Sequence, residues 1–575
     1  MFGLMGVARM SGQPGGAWSP LRLFAGGEQG AWYDPSDLAL MFQDSAGTTP
    51  VTAVEQPVGL ILDKRLGLVL GPEIITNGTF DDADDWTLTA EGAISGGALN
   101  ANVPSGDIPF AITSMNGAAP IGTLVWMEFD LTVVSGTCWA FAGGLSVANA
   151  LSGGPFATSG RISGLVIVNA SGYTDQVMFR SGGGFVGAID NISVRGIPGN
   201  HATQPTAAAR PVVSARKNLL ERSEEFDNAY WAKDTVTIVA NAATAPDGTA
   251  SADLAYPTST GVYRYLFKGV GSAANVGDSL TYSVCVKSAG QRWVAILSPG
   301  SGGNGGAFVD LQNGVFGEIH ADVTATIQSL GDGWYKCCLT QLAVASTVYA
   351  GVTLTDADGS YTVTASGTDG VYLWGAQLEI SPTATRYQRV TTDSDYDTVG
   401  FPHYLAFDGV DDMLIVSSLS PYMDNDAAWF TVTAAEKGAT SSGFPTIMRK
   451  RQVLSPLMDT SIALYNATNR VTTDRFVADT LCYAEALPLY QWTSGARLVI
   501  SGGYDGAAVT SRIGIGATAS TAASGSLGTG EELPFEIGRA LQGRIFGFIH
   551  VIGTPSSIGK DAAVRYVASG AGVTL

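Results

Sequence analysis

Apolar and polar residues along this chain group into short runs of strand character, and a helical repeat competes with them only at the far end. The run Gly122–Val134 is long and apolar-rich with partial alternation, and Ala188–Arg195 alternates well. Arg161–Val168, Gln176–Phe179 and Gly187–Val194 complete a first group of predicted strands. A second group comprises Asp278–Lys287, Arg292–Leu297, Gly306–Asp310 and Gly333–Leu342. A third contains Leu414–Val416, Phe430–Glu436, Ala496–Ser501, Phe535–Arg539 and Gly543–Ile549. Ser556–Ala568 reads as the one convincing helix, and Leu38–Phe42 as a helix of one or two turns capped by Ser36 or Asp37.

Breaks in the pattern divide the chain. Residues 198–216 carry Pro198, Pro205 and Pro211 with no apolar period, and read as a linker. Residues 1–70 read as an extended arm. Within it, Gly30–Lys64 is dense in aromatic, apolar and turn residues but too short to bury them on itself. Such a segment either straps across a neighbouring domain of its own chain or docks on a partner, and the second reading is the one taken forward. The expectation is all-β: an extended N-terminal arm (1–70) followed by tandem antiparallel β-sandwich, or jelly-roll, domains. Those domains cover 71–197, 217–392 and 393–575, with 198–216 between the first two.

Composition fits short strands and tight turns. Of 575 residues 73 are glycine, and only 14% are charged. The net charge of -20 offers no basic stripe for phosphates, so nucleic-acid binding is not expected. No apolar stretch is long enough to predict membrane insertion, and no signal peptide is read at Met1–Arg9. Cys138, Cys285, Cys337, Cys338 and Cys482 fit no zinc spacing and are expected to be buried free thiols.

Little points to catalysis. His201, His320, His403 and His550 are scattered, and there is neither a nucleophile elbow nor a zinc-protease helix motif. Asp81, Asp82, Asp84 and Asp85, and again Asp408, Asp411 and Asp412, cluster beside turn residues. They are weighed as glycosidase carboxylates or Ca²⁺ ligands and read as solvated turns. No enzymatic activity, no cofactor and no metal site are expected, with Ca²⁺ kept as an open possibility. Sugar binding needs aromatic faces with polar neighbours. Trp86, Tyr230, Trp231 and Trp334 are the glycan-binding candidates, with Trp139, Trp293 and Trp429 behind them and Trp374 read as core.

Several stretches resemble known families. Trp32-Tyr33-Asp34-Pro35-Ser36-Asp37, Phe42–Val51 and Gln56–Gly59 resemble the short N-terminal module of tailed-bacteriophage virion proteins. Asn77-Gly78-Thr79-Phe80, Trp86 and Ile189–Val194 are similar to carbohydrate-binding-module jelly rolls. Asn218-Leu219-Leu220, Ser223–Asp227, Tyr230-Trp231, Pro246-Asp247-Gly248, Gly333-Trp334-Tyr335 and Trp374–Glu379 resemble a phage tail-protein jelly roll of that type. Phe407–Asp412 and Gly543–Phe548 resemble concanavalin- or laminin-G-like sandwiches.

The resemblance implies a virion protein made in the bacterial host cytoplasm and exposed on the phage particle. Its implied role is that of a tail fibre or tail-tip receptor-binding protein that adheres to host surface glycan without cleaving it. A head fibre or capsid decoration protein is the alternative, and a polysaccharide-degrading tailspike the second. The implied partners are other virion proteins, in the tail tip, baseplate or capsid, and sister chains in a homotrimer. Trp32, Tyr33, Asp34, Pro35 and Phe42 are the expected virion-anchoring residues.

Overall fold

The computed structural model describes residues 18–67, 69–115, 123–143, 150–151, 153–168, 176–271, 274, 276–300, 306–417, 427–438, 445–452, 458–465, 470–477, 480–486, 496–523 and 532–575. The fold is all-β, as the alternation predicts: antiparallel sheets build β-sandwich modules, with one α-helix, Ser557–Gly570, among the described residues.

The first module is one seven-stranded sheet folded over its own core. Its long strands, Leu124–Ala142 and Gln176–Ile197, pair along most of their length, and bulges near Ser181, Val186 and Asp190 let them bend. The two separate runs expected at 176–179 and 187–194 are therefore one strand. The second module stacks two six-stranded sheets over a core that includes Leu220, Phe226, Tyr282, Val294 and Leu373.

The C-terminal sandwich departs most from expectation. It consists of two nine-stranded sheets, and residues 393–575 do not suffice to make them. Gly30–Tyr33 pairs with the long strand Gln542–Ile552, in the register Gly30 opposite Val551 and Tyr33 opposite Phe548. Gln56–Pro57 pairs with Val212–Ser214, which pairs with Tyr404–Asp408. In the facing sheet Met41–Phe42, Leu60–Ile61 and Ala202–Thr203 lie side by side and join Leu414–Val416. So 18–70 is not a free arm and 198–216 is not a free linker. Both are woven into the last domain, which is assembled from three separated pieces of chain.

The physical reason is burial. All four residues of Gly30–Tyr33 are buried, on both faces. Ala31 and Tyr33 enter the core between the sheets, while Trp32 enters a second cluster beneath the C-terminal helix. The strand, four residues long, is too short for a readable period.

The first two modules are consequently insertions in this framework. The first leaves and returns at one point, where Gly71 N donates to Gly196 O at 2.8 Å. Phe42, Leu60 and Leu62 of the strap pack there against Leu124, Leu165 and Ile197. The second is inserted between Val212–Ser214 and Tyr404–Asp408, and its seam is polar. The Glu55 carboxylate accepts from Ser214 Oγ and Tyr396 OH, both at 2.5 Å. Glu436 is paired with Arg544 at 2.7 Å and Arg497 at 3.3 Å, with Lys217 adding to its field.

Candidate functional site

The expected anchoring residues are not available for anchoring. Trp32 is 7% exposed and meets the Tyr566 ring edge-on at 5.8 Å. Tyr33 is 3% exposed, stacks on Phe548 and donates from its hydroxyl to Asn200 O at 2.5 Å. Phe42 and Pro35 are buried. Asp34 is spent on Lys64 at 2.8 Å and on Ser36. The strap is stapled further by Asp63, fully buried, which takes hydrogen bonds from the Trp32, Arg65 and Asn200 amides and pairs with Arg65. These side chains hold the protein's own last domain together.

Three of the four sugar candidates are core residues. Trp86 lies against Phe80 and Phe179, Trp231 against Phe226, and Trp334 is 2% exposed with its indole N–H donating to Thr244 O. Their N–H groups are spent on backbone carbonyls, as buried indoles require. Tyr230 is half-buried, with Lys268 Nζ 4.0 Å from its ring centre and its hydroxyl accepting from Glu221 N. Trp374 is core, as expected, and Trp429 is buried as well.

The aromatic surface lies elsewhere in the second module. The strand Arg264–Val270 turns Leu266 into the core, so Tyr265 and Phe267 point to the outer face of the sheet. Val348–Thr355 runs beside it and places Tyr349 on that face. Phe267 lies 5.2 Å from Tyr265 and 6.2 Å from Tyr349, stacked on the latter. Gly351 stands opposite Phe267, and a Cβ there would meet Phe267 Cβ at 2.8 Å, so the ring sits close over the sheet.

Next to this band is Tyr263, whose backbone is left-handed at φ 56°. A bulky residue in that region is a genuine outlier, held only where the surroundings enforce it. Here Tyr263 N donates to Tyr361 O at 3.0 Å, and Gly261–Val262 pairs with Thr362–Val363. The strained turn displays a ring 55% exposed, stacked at 5.2 Å on Tyr361, which rests on Phe308. Polar groups ring the platform: Asp356 is fixed by Gln291 and Thr364, and Asp358 accepts from Glu318 N. Aromatic faces beside carboxylates and amides are the components of a saccharide site. The sequence signal for this turn is the spacing Tyr263-x-Tyr265-x-Phe267, which tryptophan positions alone do not reveal.

The acidic clusters behave as turns. Asn77 organises Asp81, Asp82 and Asp84 by hydrogen bonds from its side chain and to it. Asp408, Asp411 and Asp412 bring one carboxylate oxygen each within 4.8 Å of one another. Asp408 Oδ1 already accepts from the amides of Val410, Asp411 and Asp412, and Asp412 Oδ2 accepts from Asp408 N. Burial and the neighbouring carboxylates push Asp412 up to about 6. The thiols are free, and burial raises Cys138 and Cys285, so neither is an activated nucleophile.

Comparison with known proteins gives no match among family models or curated proteins. Among solved structures, the N-terminal CBM22-1–CBM22-2 tandem domain from Paenibacillus barcinonensis Xyn10C is matched over 54% of this chain and 98% of its own. Identity is 12% and the TM-score 0.22, too low for this likeness to bear on function.

Proposed function

We propose that this chain is a non-enzymatic adhesion protein of a tailed-bacteriophage particle that holds host-surface saccharide on the aromatic platform of its second module. The observation that carries the binding role is the strained, displayed Tyr263 on Tyr361, beside the Tyr265–Phe267–Tyr349 band. Backbone strain spent on showing a ring to solvent makes sense where that ring contacts something. The virion setting rests on the sequence resemblances at Trp32–Gly59 and Asn218–Glu379. Since the strap residues are internal, attachment to other virion proteins, in tail or head, uses a different surface. Weak sugar contacts gain strength through copies, which is why a homotrimer is part of the proposal.

The test measures binding of purified host-surface polysaccharide to wild type and to Tyr263→Ala, with melting of both proteins recorded. Stacking contributes roughly 0.5–1.5 kcal/mol, so affinity falls about two- to tenfold at unchanged melting temperature. Unchanged affinity refutes the platform. Shortening of the polysaccharide during incubation refutes the non-enzymatic reading.

A further inference from the structure

Two buried histidines stand where the strap meets the rest of the last domain. His201 is 4% exposed, and its Nδ1 accepts from Asp63 N at 3.1 Å. A nitrogen that accepts carries no proton, so the ring hydrogen sits on Nε2, 3.3 Å from Ile197 O. A second proton, on Nδ1, would set N–H against N–H and break this bond to the strap. His550 is fully buried, opposite Ala31 of the strap strand. Its Nδ1 meets the Thr431 hydroxyl at 2.7 Å, and its ring lies among Trp429, Phe535 and Phe548. Its Nε2 has no hydrogen-bond partner among the described residues, so a charged ring would bury an unanswered N–H. We propose that the strap is an acid-opened latch: proton uptake by His201 and His550 frees Gly30–Tyr33 and the Asp63 turn from the last domain while the second module stays folded.

Gly30–Tyr33 has one partner strand among the described residues, Gln542–Ile552, so its release breaks a single ladder. The charged groups facing His201 are Asp63 and Arg65, themselves paired at 2.7 Å. Burial lowers the His201 ring; Asp63 pulls it up and Arg65 pushes it down. Burial lowers His550 to about 3, and Arg65 adds to the effect. Burial raises Tyr33, which keeps its proton. His403, half-buried, is lowered too, against the pull of Asp34, whereas His320 of the second module is exposed.

Histidine in an unfolded chain titrates near about pH 6.5. Both rings are lowered on folding, so their hold is complete above about pH 6.5 and weakens as pH falls. His550 alone makes opening roughly thirtyfold more favourable at about pH 5 than at about pH 7.5, and His201 adds in the same sense. The lowered carboxylates of the strap, Asp34 and Asp44, weaken only toward about pH 4 and below. Asp474, raised and so opposite in sense, lies on a strand that pairs with no part of the strap.

The experiment is amide hydrogen exchange by peptide on the full chain from about pH 7.5 to about pH 5, corrected for intrinsic exchange rates. Protection of Gly30–Tyr33 and Gln542–Ile552 should fall at least about thirtyfold and return at neutral pH, while Ser279–Ala289 holds. His201→Asn keeps an acceptor for Asp63 N, and His550→Phe keeps a ring in the aromatic cage; neither replacement takes a proton. The double variant should hold its protection to within about threefold over the same range. Where it is not folded at neutral pH, His201→Asn alone decides, by a smaller fall than wild type. A wild-type fall below about tenfold, an equal fall in Ser279–Ala289, a loss that does not return, or a variant that falls as far as wild type overturns the proposal.

Discussion

Replacing Trp32 and Tyr33 together with alanine tests whether the N-terminal segment belongs to the last domain. The two side chains enter different cores: Trp32 the cluster beneath the helix, Tyr33 the space between the sheets. Truncating a buried aromatic costs roughly 3–5 kcal/mol, and residues in separate clusters add more nearly than residues in one. The double variant therefore loses about 6–10 kcal/mol, against a total of about 5–15 kcal/mol for a typical domain. Melting alone is ambiguous in a chain of several domains. The assay is amide hydrogen exchange by peptide. Protection should collapse in Gln542–Ile552, which pairs with Gly30–Tyr33, and persist in Ser279–Ala289 of the second module. Trp231→Ala should give the reverse pattern, since Trp231 lies in the core of that module. Wild-type protection at 542–552 in the double variant would refute the woven framework and return the segment to a free arm.

Three further outcomes follow from the same architecture. Deleting residues 72–195 and joining Gly71 to Gly196 should remove one calorimetric transition and leave the framework transition in place, lowered by exposure of Phe42 and Leu62. Glu436→Gln should destabilise the framework by roughly 3–5 kcal/mol in denaturant titration, because Arg497, Arg544 and Lys217 are left facing one another. Burial pushes Asp474 up to about 6, so the native state holds its proton where the unfolded chain has released it, and its contribution falls as pH rises from about 4 to about 6. Asp474→Asn should match wild type near pH 4 and exceed it by at most roughly 3 kcal/mol above pH 6, with a constant difference across pH contradicting the assignment.

Much of the fold was legible because its strands are long enough to show which face is buried. Trp334–Leu342 and Gly306–Asp310 fall within a residue of expectation, and the helix starts where Ser556 caps it through a bond from Gly559 N at 3.2 Å. The framework strands of 18–216 run from two to four residues, and apart from Met41–Phe42 on Leu60–Ile61 their partners lie more than a hundred positions away. Val212-Val213-Ser214 behind Pro211 has the composition of a linker and the hydrogen bonding of a central strand. The candidate tryptophans failed for a different reason: alternation tells which residues share a face, and only the assembled sheets tell which face is inside. Trp86, Trp231 and Trp334 proved inward, whereas Tyr265 and Phe267, flanking the inward Leu266, proved outward.

Gly30 and Val551 are neighbours in a sheet although about 520 residues separate them in the chain. A ribosome adding roughly 5–20 residues per second needs about 30–100 s to travel that far. Both inserted modules can finish folding in that interval, each from contiguous sequence. The strap cannot, because its partner strand does not yet exist. Trp32, Tyr33 and Met41 are thus synthesised before both modules and covered after them, so their apolar side chains stay unburied through that whole interval.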